Sequence, residues 1–274
     1  MSAGSVLACL EFPAYGSRVN VIALQYDIAW ENKPANFAKV HKLLTEAAPA
    51  RDSLVVLPEM FATGFSMNAD VIAEPYGGPT EQFLADTARE FGVCLLAGAA
   101  MRGRDGRARN KALVFSPTGE LLAFYAKMRL FTPGGEAEHY EAGQQPAAFR
   151  WGGWTVSPFI CYDLRFPEIF REAAAARQPE LFAVIANWPA KRIQHWVRLL
   201  QARAIENQAY VVSANRLGSD LYYTYAGRSL IIDPQGEILA DAGDREGCIR
   251  MQLDLAALWK YREGLPFLAD MKRC

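Results

Sequence analysis

Three side chains of complementary chemistry occupy the same kind of place in this sequence. Glu59 ends the apolar run 54–59, Lys127 ends 121–127 and Cys161 ends 156–161. Each run has the length and apolar character of a buried strand, so each reactive group lies at or just past a strand's carboxyl end. In α/β folds, ligand crevices open at that edge of the sheet. A thiol of ordinary pKa is a poor nucleophile until a base takes its proton or a cation stabilises the thiolate. Glu59 suits the first task and Lys127 the second. The segment Cys161-Tyr162-Asp163-Leu164-Arg165-Phe166-Pro167-Glu168 passes from strand into helix, which aims backbone N–H groups at whatever Cys161 attacks. Taken singly, each residue has a plainer explanation: a small core cysteine, a carboxylate at a helix start, a solvated lysine. Spacing alone leaves both explanations open.

The elements that must position these groups are legible as alternating runs. Apolar segments at 21–24, 54–57, 93–98, 112–115, 154–160, 182–186, 210–214 and 230–232 predict strands buried on both faces. Segments 34–47, 80–91, 166–176 and 193–207 carry apolar residues near helical spacing. This is the alternation of an α/β layered fold. Ser116-Pro117-Thr118-Gly119 and Asp233-Pro234-Gln235-Gly236 are turn signals between strand-like runs and predict hairpins, so the sheets should be mixed. The stretch 101–110 holds four arginines, one aspartate and two glycines; it is read as a solvated hairpin tip without chemistry.

Composition sets the outer limits. With 274 residues, 51% hydrophobic and 22% charged, the chain can form one large α/β domain. A net charge of -1 supplies no global field to collect nucleic acid or an anionic membrane. Five cysteines without paired spacing (Cys9, Cys94, Cys161, Cys248, Cys274) suit neither a disulfide framework nor a zinc site. No apolar run approaches the ~18 residues of a membrane span, and the first residues lack a signal peptide's basic start; a cytoplasmic location is expected. Phosphate-cradling glycine motifs and HExxH are absent, so no metal or organic cofactor is expected. His195 can in principle pair with a nucleophilic cysteine, yet it falls inside the helical stretch 193–207, where a packing or surface role is expected.

Three segments, Leu57-Pro58-Glu59-Met60-Phe61, Tyr125-Ala126-Lys127-Met128-Arg129-Leu130-Phe131 and Ile160-Cys161-Tyr162-Asp163-Leu164-Arg165-Phe166-Pro167-Glu168, resemble the catalytic signatures of the nitrilase (carbon-nitrogen hydrolase) superfamily, in that family's order. The resemblance runs on through Asn187-Trp188-Pro189, Ala202-Arg203-Ala204-Ile205-Glu206-Asn207-Gln208 and Asn215-Arg216, covering about residue 19 to the end. Within the superfamily these segments look most like the omega-amidases, which act on the side-chain amide of short dicarboxylate monoamides such as 2-oxoglutaramate.

The resemblance implies a four-layer α-β-β-α sandwich of two mixed sheets, a single domain over 19–274 after an extension at 1–18. It implies Cys161 as nucleophile, Glu59 as general base and Lys127 as electrostatic stabiliser. A further glutamate follows the lysine in relatives; Glu136 is chosen over Glu138 for its place after paired glycines. Arg129 stands where relatives commonly carry histidine. The oxyanion is expected between Lys127 and the N–H of Tyr162, with Lys127 and the turn's N–H groups also favouring the Cys161 thiolate. For a substrate that ends in a carboxylate, Arg192 is the expected clamp and Trp188 an apolar wall. The expected partner is a small-molecule amide, not nucleic acid or membrane. Relatives form dimers through helix layers, which makes the helix after Cys161 and 193–207, with Trp196, Leu199, Leu200 and Ile205, candidate interface elements.

Overall fold

The structure, a computed structural model, describes residues 18–271. The expected extension at 1–18 therefore lies, apart from Arg18, outside the described residues. The chain's first half lays down β1 (Arg18–Gln25), β2 (Leu54–Val56), β3 (Cys94–Arg102), β4 (Ala108–Phe115) and β5 (Leu121–Ala126). Its second half adds β6 (Phe149–Trp151), β7 (Trp154–Ile160), β8 (Leu181–Ala186) and β9 (Tyr210–Asn215). A small ribbon follows, β10 (Leu217–Ser219) with β11 (Thr224–Ala226), then β12 (Leu230–Ile232) and β13 (Ile238–Asp241). The last strand, β14 (Gly247–Asp254), returns to pair with β1.

Two six-stranded sheets result, β14-β1-β2-β3-β4-β5 and β6-β7-β8-β9-β12-β13. In those orders both pair antiparallel, parallel, parallel, antiparallel, antiparallel. The mixed character expected from the hairpin turns is present. Both turns are built alike: the Ser116 Oγ accepts from Thr118 N and Glu120 N, and the Asp233 Oδ1 from Gln235 N and Glu237 N.

Period-two alternation explains the layers. On the first sheet Val21, Ala23, Val56, Leu96, Ala112 and Val114 point at the second sheet. Their neighbours Ile22, Leu24, Val55, Leu95, Leu113 and Phe115 point outward, against helices α1 (Lys33–Ala47) and α3 (Pro79–Phe91). Between those helices lies the single turn α2 (Ala69–Ile72), and another, α4 (Glu136–His139), precedes the second sheet. The second sheet's outer face is covered by α5 (Pro167–Arg177) and α6 (Ile193–Asn207) through Phe170, Ala173, Trp196 and Leu200. The architecture is the α-β-β-α sandwich. Helix ends follow local chemistry: Asn32 caps α1, prolines open α3 and α5, and Asp254 caps the closing α7 (Leu255–Gly264). No helix among the described residues is long and apolar enough to cross a membrane.

Two expectations need correction. The run ending at Lys127 is not a buried strand: β5 is a sheet edge, with Leu121, Leu122 and Phe124 exposed by 40 to 48%. Apolar composition alone does not distinguish an edge from a core strand. Trp196 and Leu200 are fully buried in their own chain's core, so they have no surface to offer a partner.

Candidate active site

Glu59, Lys127 and Cys161 leave three different strands, from both sheets, at one edge of the sandwich. Glu59 follows β2 on a stretch stitched to β3 by Leu57 N to Leu96 O, Gly98 N to Pro58 O and Phe61 N to Gly98 O. Gly98 is required there, since a Cβ would stand 2.6 Å from the Glu59 Cα. Lys127 extends β5, its N–H donating to Asn110 O. Cys161 ends β7 with φ at +48°, a left-handed conformation that costs a non-glycine residue roughly 1–3 kcal/mol. Such strain turns the chain sharply into the following 3-10 turn and lifts the thiol toward the cleft.

The three side chains converge with a fourth. The Lys127 Nζ lies 2.9 Å from the Glu59 Oε1 and 2.8 Å from the Glu136 Oε2, all fully buried. Glu136 opens α4 and also accepts from Phe131 N; Glu138 is exposed. The Glu59 carboxylate is saturated with donors: Lys127 and Asn110 on one oxygen, Asn187 N and Nδ2 on the other. Burial alone would raise its pKa, but the Lys127 charge and these hydrogen bonds outweigh burial and hold it below the ordinary value. Lys127 is likewise opposed by burial yet held protonated by Glu136 and Glu59.

The thiolate expectation fails. Burial pushes the Cys161 thiol well above its ordinary range, and the charge of Glu59 adds to that; Lys127 pulls the other way, but Glu136 opposes it. One cation stands between two carboxylates, and the balance favours the neutral thiol at Cys161.

Asp163 is buried below the turn, accepting from Ile160 N, Arg129 N and the Tyr125 hydroxyl at 2.8 to 3.0 Å. It thereby ties the Cys161 turn to the segment that carries Lys127. Burial pushes its carboxyl up to about 7 against the pull of those hydrogen bonds and of Lys127.

Above the thiol opens a cleft of about 370 Å³ bordered by Phe65, Phe131, Tyr162, Trp188 and Tyr223, with Arg165 and Arg192 at its sides. The expected binding residues Tyr162, Trp188 and Arg192 therefore share one cavity with Cys161. Trp188 is almost wholly buried, its indole N–H donating to Arg192 O. His195 is exposed and lies against Arg165. Arg129 braces the turn through Glu168 and Phe166 and is not among the residues bordering the cleft.

The family model for carbon-nitrogen hydrolases matches residues 20–263. The chain belongs to the carbon-nitrogen hydrolase family. An omega-amidase YafV from Yersinia enterocolitica is 39% identical to it over 259 residues, 93% of this chain and 97% of the relative. A 2-oxoglutaramate amidase from Bacillus subtilis is 35% identical over 254 residues, 92% and 97% of the two chains. Among solved structures, a CN-hydrolase superfamily protein from Xanthomonas campestris with an arsenic adduct in its active site superposes with a TM-score of 0.89. That protein is 33% identical, and the match covers 94% of this chain and 98% of the other. This carbon-nitrogen hydrolase is an enzyme acting on carbon–nitrogen bonds other than peptide bonds.

Sequence reasoning missed four features of the hydrolase site. Asn110, inside the stretch read as a hairpin tip without chemistry, donates to both Glu59 and Glu136 at 2.7 and 2.9 Å. Only the tip around residues 103–107 is solvated; the strand ends are buried. The available signal was alternation, because Asn110 shares the inward face of Ala112 and Val114 and is polar on an apolar face. Asn187 belongs to the Asn-Trp-Pro motif, which by itself signals no role for it; its Nδ2 also holds Glu59 O at 2.7 Å, while its buried Oδ1 has no protein donor. Phe65, Phe131 and Tyr223 border the cleft from loops that carry no periodic signal. Arg165 belongs to the Cys161 turn, and only its place at the cleft gives it a task.

Proposed function

We propose that the chain is an omega-amidase, releasing ammonia from the side-chain amide of a small carboxylate-bearing substrate of the 2-oxoglutaramate or 2-oxosuccinamate type. The observation that carries this reading is the convergence of Cys161 on a buried Glu59 that is itself locked to Lys127, at the floor of a cleft flanked by two arginines without a carboxylate partner. The named omega-amidase relatives support it.

The reaction begins as the Cys161 sulfur adds to the amide carbon while its proton passes to Glu59. Lys127 and the N–H of Tyr162 hold the oxygen that gains negative charge. The tetrahedral adduct collapses as Glu59 returns the proton to the nitrogen, so ammonia leaves and a thioester remains. A water molecule, deprotonated by Glu59, then adds to the thioester; the sulfur departs, takes up a proton and the carboxylic acid is released. The low proton affinity of Glu59 and the high affinity of the thiol make a free thiolate costly, which couples proton transfer to carbon–sulfur bond formation. Trp188 borders the cleft and limits chain length.

Arg192 clamps the far carboxylate. The working form is a homodimer in the cytoplasm; half-exposed Ile205 on α6, with Ile238 and Leu239 exposed on β13, supports an association surface, and light scattering of the purified chain tests it. The decisive measurement is ammonia release from 2-oxoglutaramate, 2-oxosuccinamate and an uncharged aliphatic amide of similar length. Arg192→Gln should cost the charged substrates about 2 kcal/mol or more in kcat/KM and the uncharged amide much less. A wild-type enzyme that prefers the uncharged amide would make this a general aliphatic amidase.

A further inference from the structure

Among the described residues, several buried or half-buried guanidinium groups have a carboxylate at hand: Arg109 has Asp105, Arg203 has Glu206, Arg216 has Asp27 and Arg228 has Asp241. Two at the cleft do not. No acidic side chain among the described residues forms an ion pair with Arg165 or with Arg192. Arg165 lies over the Trp188 ring, 4.7 Å from its centre, and Arg192 stands 5.6 Å from the centre of the Phe131 ring. Aromatic faces position a guanidinium and shed water from it, but they do not neutralise its charge. Burial and the charge of Arg192 both work against the charge on Arg165. Two like charges converging on a half-enclosed apolar cleft repel each other until an anion enters between them.

Arg165 is also held in place. Its two terminal nitrogens lie 3.3 and 3.4 Å from the His195 Nδ1. A guanidinium only donates, so that ring nitrogen must be the acceptor and the imidazole carries its proton on Nε2. Arg165 comes from the Cys161 turn and His195 from α6, so the contact joins the nucleophile's own turn to the helix layer.

We propose that Arg165 is a second carboxylate-binding residue, acting with Arg192 in the same cleft, and that His195 is the positioning residue that aims it. This rests on the amidase reading of Cys161 and deepens it: the far end of the substrate must be an anion with oxygens enough for two guanidinium groups. A carboxylate, alone or with a neighbouring oxo group, fills that requirement, whereas an uncharged chain end leaves both cations unpaired.

The test compares ammonia release from 2-oxoglutaramate and from valeramide in wild type, Arg165→Gln, Arg165→Lys, His195→Phe and His195→Gln. Arg165→Gln should raise KM for 2-oxoglutaramate by about 30-fold with kcat changed by roughly threefold or less, and valeramide should suffer far less. The lysine variant, which keeps the charge but loses the fork, should fall between. His195→Phe should raise the same KM by roughly 3- to 10-fold, and His195→Gln, whose side-chain oxygen still accepts, should recover most of that loss. Should Arg165→Gln fold poorly, calorimetric binding of 2-oxoglutarate to Cys161→Ala and to Cys161→Ala/Arg165→Lys replaces it, with weaker binding in the double variant expected. Equal losses on both amides would reduce Arg165 to a strut of the turn and overturn the proposal. So would unchanged kinetics, or unchanged binding in the double variant; in those cases a wild-type preference for 2-oxoglutaramate leaves the amidase reading intact. A wild-type enzyme that favours valeramide removes both.

Discussion

Replacing Lys127 by methionine should change the sign of the enzyme's dependence on pH as well as its rate. Lys127 is fully buried between Glu59 and Glu136, whose carboxylates also share the Nδ2 of Asn110. In the wild type one positive and two negative charges sit together. Without the lysine, two carboxylates face each other in a dry site, and one must take up a proton. Breaking a buried pair by removing one member typically costs about 3–5 kcal/mol, and at this chain size about 2 °C of melting temperature accompanies each kcal/mol, so a fall of roughly 6–10 °C is expected near pH 8. The wild-type Glu59 value is depressed by Lys127; its stabilisation is therefore present above the unfolded value of about 4.3 and is lost as pH falls. In Lys127→Met the carboxylate values are raised, so the penalty grows with pH and fades on acidification. Melting curves of both proteins between about pH 5.5 and pH 8 should converge toward the acid end. Turnover should fall by on the order of 100-fold or more, chiefly in kcat, because the cation is most useful when the oxyanion develops. A deficit that is constant with pH, or one that widens on acidification, would refute the charge reasoning.

Cys161→Ala should abolish ammonia release while the melting temperature stays close to wild type, since the residue borders a cleft; retained turnover in the purified variant would end the nucleophile assignment. Alkylation of Cys161 by iodoacetamide, followed by mass spectrometry, should keep accelerating up to at least about pH 9, with Cys94 unmodified in the native protein; a plateau near neutrality would mean a thiolate at rest. Asp163→Asn should lower activity and remove an acid limb of kcat/KM near pH 7, because protonating Asp163 spoils an acceptor that three donors use; a variant with the wild-type limb assigns that limb elsewhere. Its folded value lies above the unfolded one of about 3.9, so stability present below about pH 4 is lost as pH rises through about 7, and the asparagine variant should lack that slope. Gly98→Ala would press a methyl against the Glu59 backbone and should cut kcat by about 100-fold, the scale of a 1 Å misplacement; kinetics and a melting curve together check it.

Glu59, Lys127 and Cys161 were legible because an apolar run ending in a reactive side chain is a local pattern, and three such endings meet at one edge of the sandwich. Helix 193–207 and strands 154–160 and 230–232 matched to the residue for the same local reason. Asn110 was not legible, because four arginines around it dominated the composition and only a known inward face reveals it. The charge balance at Cys161 was out of reach as well: Glu136 is 25 residues from Cys161 in sequence, and whether its carboxylate cancels Lys127 depends on a distance. The exposure of β5 and the pairing of β1 with β14 likewise depend on partners remote in sequence, which no window of residues contains.

That last pairing bears on how the protein is made. β1 lies between β2 and β14, and its register sets Val21 opposite Met251. At ribosomal speeds of about 5–20 residues per second, roughly 10 to 50 s separate the emergence of the two strands. Throughout that interval one side of β1, rich in Val, Ile, Ala and Leu, would be an open strand edge, the kind of surface that recruits another chain. A nascent chain stalled before residue 247 would therefore be prone to aggregate, and expression yield should respond to chaperones that shield edges more than to the stability of the finished enzyme.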